Sequence, residues 1–492
     1  MYTPRKKAFW FAITTRIAIL VLQVIFNVLI PDHDADAFKR PLDSTEKVSL
    51  YDRIIYFLFN GLTRWDGEYF LHIARYGYTY ENTLAFYPLY PVMIRIVAAV
   101  LIKIFPLFNI QSMMIVAAIL INFVCFVKST IILYDLTKYV FQNTTIAYKT
   151  VMLYCINPAS IFFSAIYSES MFAYLTFYTM LSSVKCCSAL NISFPLALST
   201  LVRSNGIVNI GFPVYFGLKN LYNSKKMKHQ RQYNLLSILW HIFKLIKLKN
   251  CFIILSTVIV SLSPFFLLQI YNYIKFCTFT FDKLSLPVDV LHYAIENNLI
   301  LPGKTESMWC NASIPLAYSY VQKTYWNIGF LRYYQFKQIP NFILALPILY
   351  IMLKCIKEFT YEYKDELYSL GFLDSKIERE NTIRVKKYPL NMFVFVVHGL
   401  FLTVFCLLFV HIQVSTRLLA SATPLIYWYC ASTMSHKCID LQYESDENVC
   451  SKWKVFFLSQ KRYTLQDKFI LFYFTGYTII GCFMFSNFLP WT

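Results

Sequence analysis

The sequence is broken into apolar runs long enough to cross a bilayer, and this limits the fold more than any other feature. Residues 8–30 (AFWFAITTRIAILVLQVIFNVLI) are the clearest case. A hydrocarbon core takes about 20 apolar residues of helix to cross. Within it every backbone N–H and C=O must bond inside the protein, so each such run reads as a helix. Further runs fall at 85–106, 111–134, 147–166, 168–185, 188–218, 251–275, 339–356, 391–411, 415–433 and 468–489. They make about eleven spans, with 188–218 read as one span carrying a polar interruption. The expected fold class is an all-α polytopic membrane protein, a single integral membrane domain over residues 1–492. Composition agrees. The chain is 57% hydrophobic and 15% charged, against roughly 45–50% and roughly 25% in soluble domains. That excludes a disordered chain and argues against a soluble enzyme. MYTPRKK precedes the first run and Pro31 with DHDAD follows it, without a small-residue cleavage site, so the run reads as an uncleaved span.

Lysine and arginine orient the spans. MYTPRKK puts the N-terminus in the cytosol. Residues 219–250 carry Lys219, Lys225, Lys226, Lys228, Arg231, Lys244, Lys247 and Lys249 with no acid, the clearest cytosolic loop. Counting spans puts loops 357–388 and 434–467 on the same side, and the large loops 31–84 and 276–338 on the other. The same count places three glycosylation candidates, Asn143, Asn191 and Asn311, on the non-cytosolic side. It puts the polar break at Asn157, Ser168 and Glu169 near the cytosolic end, although short breaks are where span counting fails. The net charge of +19 then belongs to cytosolic loops and not to a nucleic-acid surface. The glycines form no GxGxxG or GxxxxGK[ST] phosphate cradle. The 13 cysteines show no CxxC and no framework; many sit in apolar runs as small hydrophobes, which argues against a cysteine metal centre.

Chemistry is therefore expected in the two large non-cytosolic loops. The first holds two acidic clusters, Asp32-His33-Asp34-Ala35-Asp36 and the stretch Arg64 to Tyr78 (RWDGEYFLHIARYGY). Trp65, Tyr69, Ile73 and Tyr76 recur at helical spacing, which predicts an amphipathic helix flat on the membrane, stopped by Gly77. From the residues alone this is an interfacial helix with an aromatic belt and solvated charges. The Asp32–Asp34 spacing resembles the metal-holding pairs of soluble glycosyltransferases, but three acids after a span equally form a solvated edge.

WDGEYFLHIARYGYTYENTLAFYPLYP, beginning at Trp65, resembles the signature of the PIG-V family. IPDHDADAF (30–38), NPASIFFSAIYSES (157–170), RSNG (203–206), YVQKTYWNIGFLRYYQFKQIPNFILALP (320–347) and QVSTRLLASATPLIYWY (413–429) resemble further family blocks in the same order. The likeness runs from Ile30 to near the C-terminus. It implies a polytopic GT-C glycosyltransferase of the endoplasmic reticulum membrane with its active site facing the lumen. It implies a dolichol-phosphate-mannose donor and a mannosyl-glucosaminyl-phosphatidylinositol acceptor, normally acylated on inositol. The product gains a second mannose in α-1,6 linkage. In fungi such an enzyme works with a small membrane partner. No cofactor and no metal are expected, and no nucleic acid. The rivals are a transporter, which should show internal repeats, a non-catalytic membrane subunit, and another lumenal enzyme using dolichol-phosphate sugars.

A β-linked donor and an α-linked product imply inversion, which takes one base beside the acceptor hydroxyl. The resemblance makes Asp66 the expected base, with Asp32 the runner-up. Trp65 is a sugar-stacking or belt residue. Tyr69 and His72 are expected sugar contacts, with a local hydrogen bond the simpler reading of His72. Glu81 is an acceptor contact or a solvated loop acid. Arg203 and Arg417 sit in or beside apolar runs, where an unpaired arginine is costly, and are expected to hold lipid phosphate; a snorkelling anchor is the other reading. Tyr320, Gln322, Tyr325 and Trp326 are expected to line the acceptor groove.

Overall fold

The structure, a computed structural model, describes residues 3–491 apart from 42, 44–45, 225–247, 279–285, 304–306, 365, 373–385 and 436–463. Lys225, Lys226, Lys228, Arg231, Lys244 and Lys247 of the basic loop, and most of 434–467, lie outside the described residues. Among the described residues the fold is helical throughout, with no strand. The helices are α1 (Pro4–Leu29), α2 (Leu50–Phe59), α3 (Asp66–Tyr76), α4 (Leu89–Ile104), α5 (Ile110–Phe141), α6 (Thr144–Cys155), α7 (Glu169–Val184), α8 (Ala189–Val202) and α9 (Gly211–Ser224). They continue with α10 (Leu248–Cys277), α11 (Val288–Glu296), α12 (Ala317–Trp326), α13 (Ile339–Glu362), α14 (Phe393–Leu408), α15 (Ser415–Ala422), α16 (Leu425–Ser435) and α17 (Leu465–Ser486).

Among the described residues six helices are long and apolar enough to span a bilayer: Pro4–Leu29, Ile110–Phe141, Phe252–Cys277, Phe336–Glu362, Leu390–Leu408 and Leu465–Ser486. The other apolar runs are helical but shorter or broken. The run at 147–166 stops as an α-helix at Cys155, and that at 415–433 is interrupted at Thr423 and Pro424. Arg16 on α1 fixes the first break. Its Nη2 donates to the Cys155 carbonyl at 2.9 Å and its Nη1 to the Ser160 carbonyl at 2.8 Å. A buried cation thus caps the carbonyl end of α6, where the helix dipole favours it.

Helix α5, about 48 Å long, defines the two ends of the molecule. At its start the Asn109 and Ile110 N–H groups donate to Asp52 (2.9 Å) and Glu46 (3.0 Å), residues that follow α1. Near its finish Asp135 pairs with Arg5 at 3.0 Å, at the start of α1. The Arg5 end also gathers the flanks of the three loops read as cytosolic. Lys149 donates to the Met434 carbonyl, Lys387 to Glu358 and Thr433, and Lys219 to Asn391.

This arrangement corrects the span count in one region. Helix α4 does not carry the chain across. It leaves a segment tied to the second large loop, where Trp309 bonds Glu81, and it returns to Asn109 beside Asp52. Everything from α5 to α8 is therefore inverted relative to the count. Asn143 stands at the Arg5 end, where its side-chain oxygen accepts the Thr145 and Ile146 N–H groups as the α6 cap. Asn191 stands there too, at the far end of α8 from Arg203. Ile192, Cys186 and Cys187 share a cavity with Asn220 and Leu221, at the α9 end of the basic segment 219–250. Asn311 lies at the opposite end. Segment 157–170, with Glu169, moves to the end that carries Asp66. The order recovers because 188–218 is two helices running in opposite senses, α8 and α9, and not one span.

Contrary to the reading of the cysteines as apolar filler, Cys277 and Cys310 form a disulfide. It ties the end of α10 to the loop that supplies Trp309.

Candidate active site

Asp66 opens α3, following a strained residue. Trp65 has φ 55°, in the left-handed region, which a bulky side chain enters at a cost of about 1–3 kcal/mol. The turn puts the Asp66 carboxylate at the positive end of the α3 dipole, and its N–H donates to the Tyr167 hydroxyl at 3.1 Å. Trp65 meets Phe488 edge-on at 5.8 Å.

Four charged side chains from distant parts of the sequence meet here. Nη1 of Arg417, on α15, donates to Asp66 Oδ2 at 2.8 Å. The same nitrogen lies 3.8 Å from Oε1 of Glu169, at the start of α7. Arg203, the residue that ends α8, pairs with that same Glu169 oxygen. The close approach of the following turn holds it: a Cβ at Gly206 would stand 2.6 Å from the Ser199 carbonyl oxygen, so the RSNG block folds back on α8. Two carboxylates balance two guanidiniums. The Glu169 side chain has no solvent exposure, whereas Asp66 keeps 27%, Arg203 19% and Arg417 17%. Three of the four can thus be reached. Among the described residues Asp66 Oδ1 accepts no hydrogen bond, and the Arg203 guanidinium donates to Glu169 alone.

The remaining candidates separate by surroundings. Asp32 takes Nη2 of Arg64 on both oxygens, at 3.0 and 2.8 Å. Arg64 also bonds Asn27 and the Ser486 carbonyl and lies 4.3 Å over the Phe488 ring. His33 bonds the Asn487 carbonyl through its backbone N–H. Asp32 is thus part of a staple joining α1, the first loop and α17. His72 is fully buried, 2.6 Å from the Thr79 hydroxyl and stacked on Tyr80. Burial, with the Arg40 charge adding to it, pushes its pKa down to about 3. Tyr69 is stacked between Phe38 (4.2 Å) and Phe86 (4.6 Å), so only its edge and hydroxyl remain for a ligand. Burial, then the nearby Asp66 charge, raises its pKa.

Glu81 is neither solvated nor open. It is buried, with Oε1 accepting from Trp309 Nε1 at 3.0 Å and Oε2 from the Tyr325 hydroxyl at 2.8 Å. It locks the first large loop to the second. Trp326, next to Tyr325, lies 6.0 Å from both Tyr69 and Phe86 and joins α12 to the aromatic cluster beside Asp66. Gln322, one turn back, is half-buried and its side chain makes no hydrogen bond to the described residues. Tyr320 packs on the small cluster around Trp309. No three His, Cys, Asp or Glu side chains among the described residues gather to hold a metal.

Sequence reasoning missed Glu169 as a site residue, because the span count sent it to the other end. A signal was present: an acid between two apolar runs is expensive and usually functional.

Comparison with known proteins bears on the same blocks. A family model described as Mannosyltransferase (PIG-V) matches residues 5–492. The chain is 34% identical to GPI mannosyltransferase 2 of Drosophila melanogaster over 98% of each chain. It is 35% identical to GPI alpha-1,6-mannosyltransferase 2 of Cricetulus griseus and 32% identical to that of Homo sapiens, over 99% of each chain. The match includes the blocks that deliver Asp66, Glu169, Arg203 and Arg417, and it extends through the loops that pack around them. The chain belongs to the PIG-V family of mannosyltransferases.

Proposed function

We propose that this chain is the GPI α-1,6-mannosyltransferase that adds the second mannose, taking it from dolichol-phosphate-mannose in the endoplasmic reticulum membrane. Family membership and full-length relatives named for GPI mannosyl transfer make it a mannosyltransferase of GPI-anchor biosynthesis. The acceptor is the mannosyl-glucosaminyl-(acyl)phosphatidylinositol intermediate. The architecture is read as a GT-C fold of about eleven spans, in which short and broken helices complete the set begun by the long ones.

The single observation that carries the mechanism is the Asp66 carboxylate, held by Arg417 through one oxygen and open at the other. In this reading Oδ1 takes the proton of the acceptor 6-hydroxyl. The hydroxyl oxygen bonds to C1 of the mannosyl donor as the C1–O bond to phosphate breaks. β becomes α, and dolichol phosphate leaves. Arg203 meets the phosphate through its uncommitted N–H groups and stabilises the charge that grows on the leaving oxygen. Arg417, first read as a phosphate ligand, is assigned to hold the base. Trp65, Tyr69, Gln322 and Trp326 border the sugars, while Asp32, His72 and Glu81 support the frame.

The Asp66 end is assigned to the lumen. The Cys277–Cys310 disulfide belongs to an oxidising compartment, and the basic segments MYTPRKK and 219–250 flank the opposite end. Of the three sequons, this leaves Asn311 as the glycosylation candidate. The test is a cell-free assay with labelled dolichol-phosphate-mannose and, in parallel, the one-mannose and the mannose-free precursor. A two-mannose product with the new residue in α-1,6 linkage is expected. Label entering only the mannose-free precursor would refute the reading.

A further inference from the structure

We infer that Glu169 is a positioning residue of the transfer site, holding Arg203 where the donor phosphate arrives while Arg417 stays on Asp66. The inference rests on the mannosyl-transfer reading above. Glu169 has no solvent exposure and begins α7, so its carboxylate is fixed by the helix and not by a loop. One of its oxygens faces both guanidiniums, pairing with Arg203 and lying 3.8 Å from Arg417. Without it, two cations side by side would compete for the single Asp66 carboxylate, and like charges would push Arg203 away from its place.

Glu81, which braces two loops, has both oxygens bonded. Oε2 of Glu169 instead meets no hydrogen-bond donor among the described residues. A buried carboxylate oxygen that takes no protein donor leaves Glu169 committed to the two guanidiniums through Oε1 alone. The Phe172 ring, one turn further along α7, lies 5.9 Å from the Arg203 guanidinium carbon and covers part of it. Its remaining N–H groups meet no acceptor among the described residues, so the guanidinium is held by Glu169 and open to a phosphate.

The test is steady-state transfer by the purified full chain in lipid nanodiscs, with donor and acceptor varied separately. Variants are Glu169→Gln, Glu169→Asp, Arg203→Gln and the double variant Glu169→Gln/Arg203→Gln. Glu169→Gln should raise the donor KM about tenfold, the scale of one charge-assisted contact, with the acceptor KM unchanged. Glu169→Asp should recover part of the loss. The double variant should be no worse than Arg203→Gln alone, because residues acting as one unit are not additive. Should Glu169→Gln fail to fold, the charge-balanced double variant against Arg203→Gln still decides the question. Equal donor KM values support the inference, and a further rise overturns it. An active chain whose donor KM ignores Glu169→Gln overturns this inference alone. A wild-type chain that transfers no mannose overturns the functional reading and this inference with it.

Discussion

Two acids of the first large loop each face an arginine at 2.8 Å, yet the two pairs sit in different surroundings. Around Asp32, the arginine is tied to three elements through Nε and Nη2. Arg64 bonds both Asp32 oxygens, Asn27 and the Ser486 carbonyl, and it joins three parts of the chain. Around Asp66, valences are left over. One carboxylate oxygen is open, Arg417 leans towards a second acid, and the residue in front is strained. Pair distance therefore says little about role. What the partners do with their other atoms separates a brace from a reactive site.

The largest effect expected from this contrast is on rate. Asp66→Asn should lower transfer about 10²–10⁴-fold, the usual worth of a general base, with the protein still folded in the membrane. Asp32→Asn at equal protein level should keep most activity and lose thermal stability. Initial rates and melting curves of the two variants, side by side, check both halves. If Asp32→Asn is the dead variant, the two acids exchange roles.

Arg417→Lys comes next. A lysine keeps the charge but not the planar fork, so kcat should fall about tenfold to a hundredfold through misplacement of Asp66, with the donor KM moving less. A donor KM that rises while kcat holds would return Arg417 to the phosphate.

Glu81→Gln sharpens the contrast from the structural side. An amide accepts from Trp309 through its oxygen and can only donate to the Tyr325 hydroxyl, so two charge-assisted hydrogen bonds become neutral ones. That costs about 1–3 kcal/mol and should appear as a lower melting temperature, with the rate of the remaining folded protein near wild type. A selective loss of acceptor binding would instead place Glu81 in the groove.

Much of this was legible in the sequence. The apolar runs are helical where described, α3 begins at the tryptophan-aspartate block, and Gly77 ends it with φ 75°. What failed was counting. Residues 85–106 are as apolar as a span, but α4 is held at both ends by contacts with the same set of loops, Trp309 on Glu81 and Asp52 on Asn109. Those partners are remote in sequence and leave no local trace. The same holds for Glu81, whose burial depends on Trp309 and Tyr325, and for Cys277 and Cys310, separated by 33 residues. Glu169 was visible as an acid between spans, but its side followed the faulty count.

The smallest expected effect is on pH dependence. His72 is held neutral by burial and by Arg40, with its pKa at about 3 in the fold against 6.5 ordinarily. Between those values the unfolded chain binds the extra proton, so the contribution to stability is full above pH 6.5 and is lost as pH falls towards 3. Melting between pH 7.5 and pH 5 should therefore drop more steeply in wild type than in His72→Gln, while the activity profile near neutrality stays the same.

The most direct test of the central claim is the lipid that accumulates in cells whose only copy carries Asp66→Asn. With the protein present at normal level, the account predicts the one-mannose GPI precursor, and normal anchors in cells carrying Asp32→Asn. Accumulation of the mannose-free precursor, or normal anchors with Asp66→Asn, would contradict it.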